Sequence, residues 1–113
     1  MSCIFCKISN KEIPSEPVFE NDNIIAINDL NPQAPVHILV MPKKHISSMN
    51  DINAENSHII SEIFESIKLI AEKVGIKESG YRVLCNCGED GCQSVLHLHF
   101  HILGGKKLSE TLS

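Results

Sequence analysis

Three histidines, His97, His99 and His101, alternate with Leu98, Phe100 and Ile102 near the end of a 113-residue chain. In an extended strand successive side chains point to opposite faces. The three imidazoles therefore share one face, and the leucine, phenylalanine and isoleucine share the other, which packs on a core. The histidine face must look into a cleft or out to solvent. One metal ion does not explain the whole trio. Residues 97 and 101 lie about 13 Å apart at ~3.3 Å per residue, whereas zinc holds each ring nitrogen at about 2.0–2.1 Å. A row with divided labour is expected.

The second group with chemical potential is Cys3-Ile4-Phe5-Cys6. Two cysteines at this spacing can form a redox pair, half of a zinc site or a pair of buried thiols. A thioredoxin-like pair belongs where a strand enters a helix, and no strand precedes Cys3, which weighs against redox chemistry. A structural zinc site needs two further ligands. Five cysteines, an odd number, do not make a disulfide framework; reduced thiols in a cytoplasmic protein are expected. Cys85 and Cys87 read as packing residues, Cys92 as a loop thiol, His58 as solvated, and Lys43 with Lys44 as a charged corner.

The elements that must position these residues follow from local pattern. Pro17 to Glu20 and Ile24 to Asn28 read as strands joined by a turn at Asn21, Asp22 and Asn23. Prolines 32 and 35 keep the next stretch extended, and residues 36–42 form a third strand. Apolar residues at 59, 60, 63, 64, 67, 70, 71 and 74 have helical spacing. They predict a helix of about five or six turns from Asn53 to Val74, capped by Asn53 or Asp51 and stopped at Gly75. Residues 81–87 and 97–103 complete an antiparallel sheet of about five strands with the long helix on one face. The fold class is α+β, and residues 1–113 read as one domain.

Composition narrows the function. A net charge of −4 argues against a nucleic-acid binder, which would carry a basic stripe. No run approaches 18 apolar residues, so no membrane span is expected. The stretch MSCIFCKISN lacks the basic and apolar regions of a signal peptide.

Residues 97–103 match in full the signature His-φ-His-φ-His-φ-φ, with φ apolar, of the histidine-triad nucleotide-binding family. KEIPSEPVFEND, NDLNPQAPVHILVMPKKHIS and GCQSVLHLHFHILGG resemble the phosphoramidase-type branch in the expected order. The resemblance covers almost the whole chain. It implies hydrolysis of purine nucleoside 5′-phosphoramidates through a nucleotidyl intermediate on His99. His101 would hydrogen-bond the phosphate, Ser94 would sit near phosphate and leaving group, and His37 is similar to the histidine that neighbours the catalytic one. Asp29 resembles the acid that takes the ribose hydroxyls. Asn86 and Gln93 are expected near the nucleotide, and Ile27 at the base, with Phe19 in the core. Some relatives pair a CxxC with a histidine of the lysine-rich loop and the first triad histidine, which here gives Cys3, Cys6, His45 and His97 as ligands of structural zinc, a metal the chemistry itself would not require. The resemblance also implies a homodimer. The rival readings are a dinucleoside polyphosphate hydrolase of the same family, a nucleotide-binding scaffold protein, and a metal-storage module; the last leaves Asp29, Asn86 and Ser94 unexplained. Two departures stand out. Cys92 replaces a usual glycine, and KKLSETLS replaces a tail that in many relatives holds tryptophan and proline.

Overall fold

The computed structural model describes residues 3–112. Its sheet has five strands: β1 (Phe19–Glu20), β2 (Ile24–Asn28), β3 (Val36–Pro42), β4 (Tyr81–Leu84) and β5 (Phe100–Gly104). Their order is β1-β2-β3-β5-β4, and every adjacent pair is antiparallel. The expected α+β architecture of five strands and one long helix is the one observed. Strands β2 and β3 run between the residues expected from the sequence. β1 is two residues shorter at its start, and β4 stops at Leu84 instead of residue 87.

Alternation along the central strands produces two cores. Ile24, Ala26, Ile38, Val40, Phe100 and Ile102 point to one face and pack with the long helix. Ile25, Leu39 and Met41 point to the other and pack with Phe5 and Ile8 of a six-residue helix, α1 (Ile4–Ser9). The sheet is thus covered on both faces, and the histidine side is not simply open to solvent. His97 and His99 are buried beneath α1.

The long helix, α2 (His58–Lys73), buries Ile59, Ile63, Ile67, Ile70 and Ala71 at i, i+4 and i+3 spacing. It begins five residues later than expected from the sequence. Asp51 caps a separate 3₁₀ turn over Met49–Asp51, in a capping box with Ser48. The Asn53 side chain accepts the Glu55 and Asn56 N–H groups and holds a turn. Both polar side chains therefore stabilise local turns that compete with helix. The stop is as expected, with Gly75 at φ +80°. Among the described residues no helix is long and apolar enough to cross a membrane.

The last strand also begins later, at Phe100 rather than His97. Its partner β3 ends at Pro42, which has no N–H to give the ladder. The side chains of residues 97–99 nevertheless alternate, with His97 and His99 both against Phe5 and Leu98 on the other side. Leu98 joins the α2 core, and its N–H donates to the Ile46 carbonyl.

Candidate functional site

The hydrogen bonds of the histidine row define which ring nitrogen is free on each imidazole. His97 Nε2 donates to the Pro42 carbonyl at 2.8 Å, so its Nδ1 lone pair faces Cys3 and Cys6. His99 Nδ1 donates to the His97 carbonyl at 2.7 Å. Its Nε2 is therefore the bare nitrogen. Phe5 presents a T-shaped contact to the His99 ring, with centroids 5.0 Å apart, and a second to His97 at 5.8 Å.

His101 is set by a relay that starts in the loop before β3. The Gln33 N–H donates to His37 Nδ1 at 3.0 Å, which leaves the proton of a neutral His37 on Nε2. That nitrogen lies 2.9 Å from His101 Nδ1 and 3.4 Å from an Asp29 carboxylate oxygen. His101 Nδ1 thus accepts, and its Nε2 carries the hydrogen. The two neighbouring imidazoles present opposite functions: a lone pair on His99 and an N–H on His101. Burial above all, with the neighbouring His99 and His37 adding to it, holds His101 down at about 4; Asp29 opposes the shift. Burial likewise lowers His97. A neutral ring is the form that can coordinate a metal.

Cys3, Cys6, His45 and His97 converge, with all ligand atoms within 4.8 Å of one another. Cys6 Sγ lies 3.3 Å from His45 Nδ1 and 3.6 Å from His97 Nδ1, and Cys3 Sγ lies 3.4 Å from His97 Nδ1. A tetrahedral ion with bonds of about 2.3 Å to sulfur and about 2.0 Å to nitrogen spans a sulfur–nitrogen edge of about 3.5 Å. The three sulfur–nitrogen edges of the cluster match that value, so the donor set fits a four-coordinate metal. The Pro42 carbonyl on the far nitrogen of His97 is the outer-shell partner that such a ligand needs.

A cleft of about 240 Å³ opens between α1 and the sheet, with His99 and His101 on its wall. Asp29 and Ile27 come to it from the end of β2, and Ser94 from the opposite side. One Asp29 oxygen accepts the Asn31 N–H at 2.8 Å and the other faces His37. Phe5 and Ile8 roof the cleft. Their part could be read only from their helical spacing beside the CxxC. Asn86 and Gln93 are not on this wall. The Asn86 amide donates to the Gly91 carbonyl. Gln93 accepts from the Gly88 N–H and donates to the Ser47 and Val95 carbonyls. Both side chains brace the loop that carries Ser94. Gly91 in that loop leaves no room for a Cβ against the Cys87 carbonyl. Cys92 is exposed at φ +61°, a conformation that suits the glycine usual there. Phe19 and Cys85 pack against the α2 core. His58 is exposed, and Lys43 pairs with Glu20 at the surface.

This fold and this histidine row define a class that the comparisons identify. A family model described as "Scavenger mRNA decapping enzyme C-term binding" matches residues 2–112. The chain is 55% identical to a histidine triad protein from Clostridium difficile whose structure superposes at a TM-score of 0.95, over 98% of this chain and 96% of that one. A HIT family hydrolase from Clostridium thermocellum superposes at 0.96 with 44% identity, covering 99% and 97%. The chain belongs to the histidine-triad (HIT) family of nucleotide hydrolases. Among characterised relatives it is 42% identical to the purine nucleoside phosphoramidase of Escherichia coli (strain K12), over 97% of this chain and 92% of that protein.

Proposed function

We propose that the chain, acting as one domain, hydrolyses purine nucleoside 5′-phosphoramidates at the α-phosphate. The observation that carries this reading is the pairing of a bare His99 Nε2 with an N–H on His101 Nε2 beside a cleft lined by Asp29. In the first step the His99 Nε2 lone pair forms a bond to phosphorus. The P–N bond breaks, and its electron pair leaves with the nitrogen, which takes a proton from solvent by way of the Ser94 hydroxyl. His101 donates to a phosphoryl oxygen and stabilises the charge that grows there. Water then attacks the nucleotidyl-histidine. It gives its oxygen to phosphorus and a proton to solvent, and the bonding pair returns to Nε2. The products are a nucleoside monophosphate and an amine. Splitting one displacement into two is the gain of covalent catalysis.

In this reading Asp29 accepts from the ribose hydroxyls, Ile27 packs on the base, and His37 holds the His101 tautomer. Asn86 and Gln93 serve the nucleotide through the Ser94 loop. The metal held by Cys3, Cys6, His45 and His97 is zinc, because two thiolates and two imidazoles in a closed tetrahedron suit it. Zinc there would cross-link α1 to the sheet, and the reaction itself proceeds on the side chains.

The protein acts as a cytoplasmic homodimer. Support comes from Phe64 (54% exposed), Tyr81 and Val83, which line one apolar hollow where α2 meets β4. β4 is an edge strand with one side free of the ladder, and exposed apolar edges are surfaces that proteins cover.

The test is AMP release from adenosine 5′-phosphoramidate by the purified protein and its His99→Ala variant, with diadenosine polyphosphate as a competing substrate. Release that falls by at least about a thousandfold in the variant is expected for loss of the nucleophile. Cleavage of the dinucleotide alone would move the protein to the other hydrolase class, and tight AMP binding without turnover would make it a binding protein.

A further inference from the structure

The four convergent ligands come from two parts of the chain. Cys3 and Cys6 belong to the first turn of α1, whereas His45 follows β3 and His97 precedes β5. The cluster is thus a joint between that helix and the sheet. Its two thiols are also placed for each other. The Cys6 N–H donates to Cys3 Sγ at 3.4 Å, and the two sulfurs face His97 Nδ1 at 3.4 and 3.6 Å. They lie within 4.8 Å of one another. A disulfide needs a sulfur separation of about 2.05 Å, so the pair must close by less than about 3 Å. Both are free thiols, and Cys6 is only half-buried. Cys3 and His45 line a groove of about 580 Å³ that opens the joint to small solutes.

We propose that Cys3 and Cys6 are a site of reversible oxidation, where peroxide makes a disulfide that frees the metal and α1 together and turns the hydrolase off. The inference rests on the metal and phosphoramidate readings above. The Cys6 thiolate attacks one oxygen of hydrogen peroxide. The O–O bond breaks, leaving a sulfenic acid on Cys6 and a hydroxide that takes a proton to become water. The Cys3 thiolate then attacks the Cys6 sulfur. The S–O bond breaks, solvent protonates the departing hydroxide, and the disulfide is complete. The two sulfurs have given up two electrons, and one peroxide has become two waters. A dithiol reverses the change by exchange. Metals bind thiolates, so oxidation removes two of the four ligands at once. The new bond closes α1 on itself and leaves no link to His45 or His97. Residues three apart on a helix have Cβ atoms about 5–6 Å apart, against about 3.8 Å in a disulfide, so the first turn is distorted as well. Phe5 lies in that turn, with its ring 5.0 Å from that of His99. Oxidation therefore takes away the roof of the cleft and the packing on the nucleophile.

The test uses the zinc-loaded chain carrying Cys92→Ser, which removes the exposed loop thiol. It is titrated with hydrogen peroxide while a chromophoric chelator reports free zinc, and peptide mapping by mass spectrometry locates the oxidised cysteines. Zinc release and a disulfide between Cys3 and Cys6 should rise together in equal amounts. Protection of residues 6–10 against hydrogen exchange should fall in proportion. Hydrolysis of adenosine 5′-phosphoramidate should drop on the order of a hundredfold, as for a misplaced catalytic group, and return with dithiothreitol and zinc. Zinc retained until Cys85 or Cys87 is oxidised overturns the proposal. Sulfinic acid on Cys3 or Cys6 in place of the disulfide also overturns it, because dithiols do not reverse that state. A disulfide that leaves activity unchanged does the same. If the reduced chain binds no zinc yet loses activity as the disulfide forms, the metal reading fails and the switch stands. If zinc leaves with disulfide formation but no phosphoramidate is ever cleaved, the reaction reading fails and the oxidation site stands.

Discussion

If Cys3, Cys6, His45 and His97 hold the proposed zinc, removing it should release α1 while the sheet and α2 stay folded. The magnitudes follow from what holds this helix. Its principal apolar anchors are Phe5 and Ile8, both buried against Ile25, Leu39 and Met41. Burying two such side chains contributes about 3–6 kcal/mol. Fixing the backbone of six residues costs about 6–12 kcal/mol at roughly 1–2 per residue. Packing alone therefore falls short by a few kcal/mol, and a six-residue helix has little stability of its own. A structural zinc ion contributes on the order of 10 kcal/mol in small modules, enough to reverse the balance. The assay is amide hydrogen exchange on protein stripped with a chelator and checked for metal by elemental analysis. Amides of residues 6–10 should lose protection, while those of β2, β3 and the middle of α2 keep theirs. The proposed phosphoramidase activity should fall with them, because Phe5 would no longer sit on the His99 ring. Full protection of residues 6–10 in metal-free protein would refute the reasoning and show that apolar packing suffices.

The remaining predictions concern charge and association. His101 keeps a folded-state pKa of about 4 against about 6.5 when unfolded, so between those values the unfolded chain binds more protons than the native one. Its contribution to stability is complete above about pH 6.5 and is lost as pH falls toward 4; urea midpoints at pH 7.5 and 4.5 should differ less in His101→Gln than in the wild type. Val83→Lys, placed in the apolar hollow beside α2, should convert the proposed dimer to monomer by analytical ultracentrifugation without a large change in thermal midpoint; a wild type that is already monomeric would remove the dimer reading, and a variant that stays dimeric would move the interface elsewhere.

Much of the fold is legible in the sequence because β2 and β3 are nearly continuous apolar runs bounded by polar turns and prolines. The lysine-rich corner and the glycine stop of α2 are local signals, and they fall where the chain puts them. The errors come from competition that local pattern does not display. Asp51 and Asn53 have the right chemistry to cap a helix, yet each closes a turn of its own. Residues 97–99 have strand alternation, but their ladder partner ends at a proline. The convergence of Cys3, Cys6, His45 and His97 is visible through resemblance, since 94 residues separate the first from the last. The His37–His101 relay is only half visible. Its donor is the main-chain N–H of Gln33, and a backbone group leaves no trace in residue identity. Asn86 and Gln93 show the reverse problem: their amides are conspicuous in sequence, but nearby carbonyls and N–H groups claim them.

The hydrogen bond from His99 reaches His97 through its main chain, whereas the cluster with Cys3, Cys6 and His45 uses its imidazole. Any residue at position 97 would present the same carbonyl. The proposed metal could therefore be lost while the proposed nucleophile stays aimed, provided that other packing takes over the anchoring of α1. A substitution at position 97 that removes the imidazole leaves the carbonyl that holds His99 in place, so only the anchoring of α1 links the two. A lineage could cross from metal-bound to metal-free only after other packing had come to anchor α1, changing the cysteines first and the histidine afterwards.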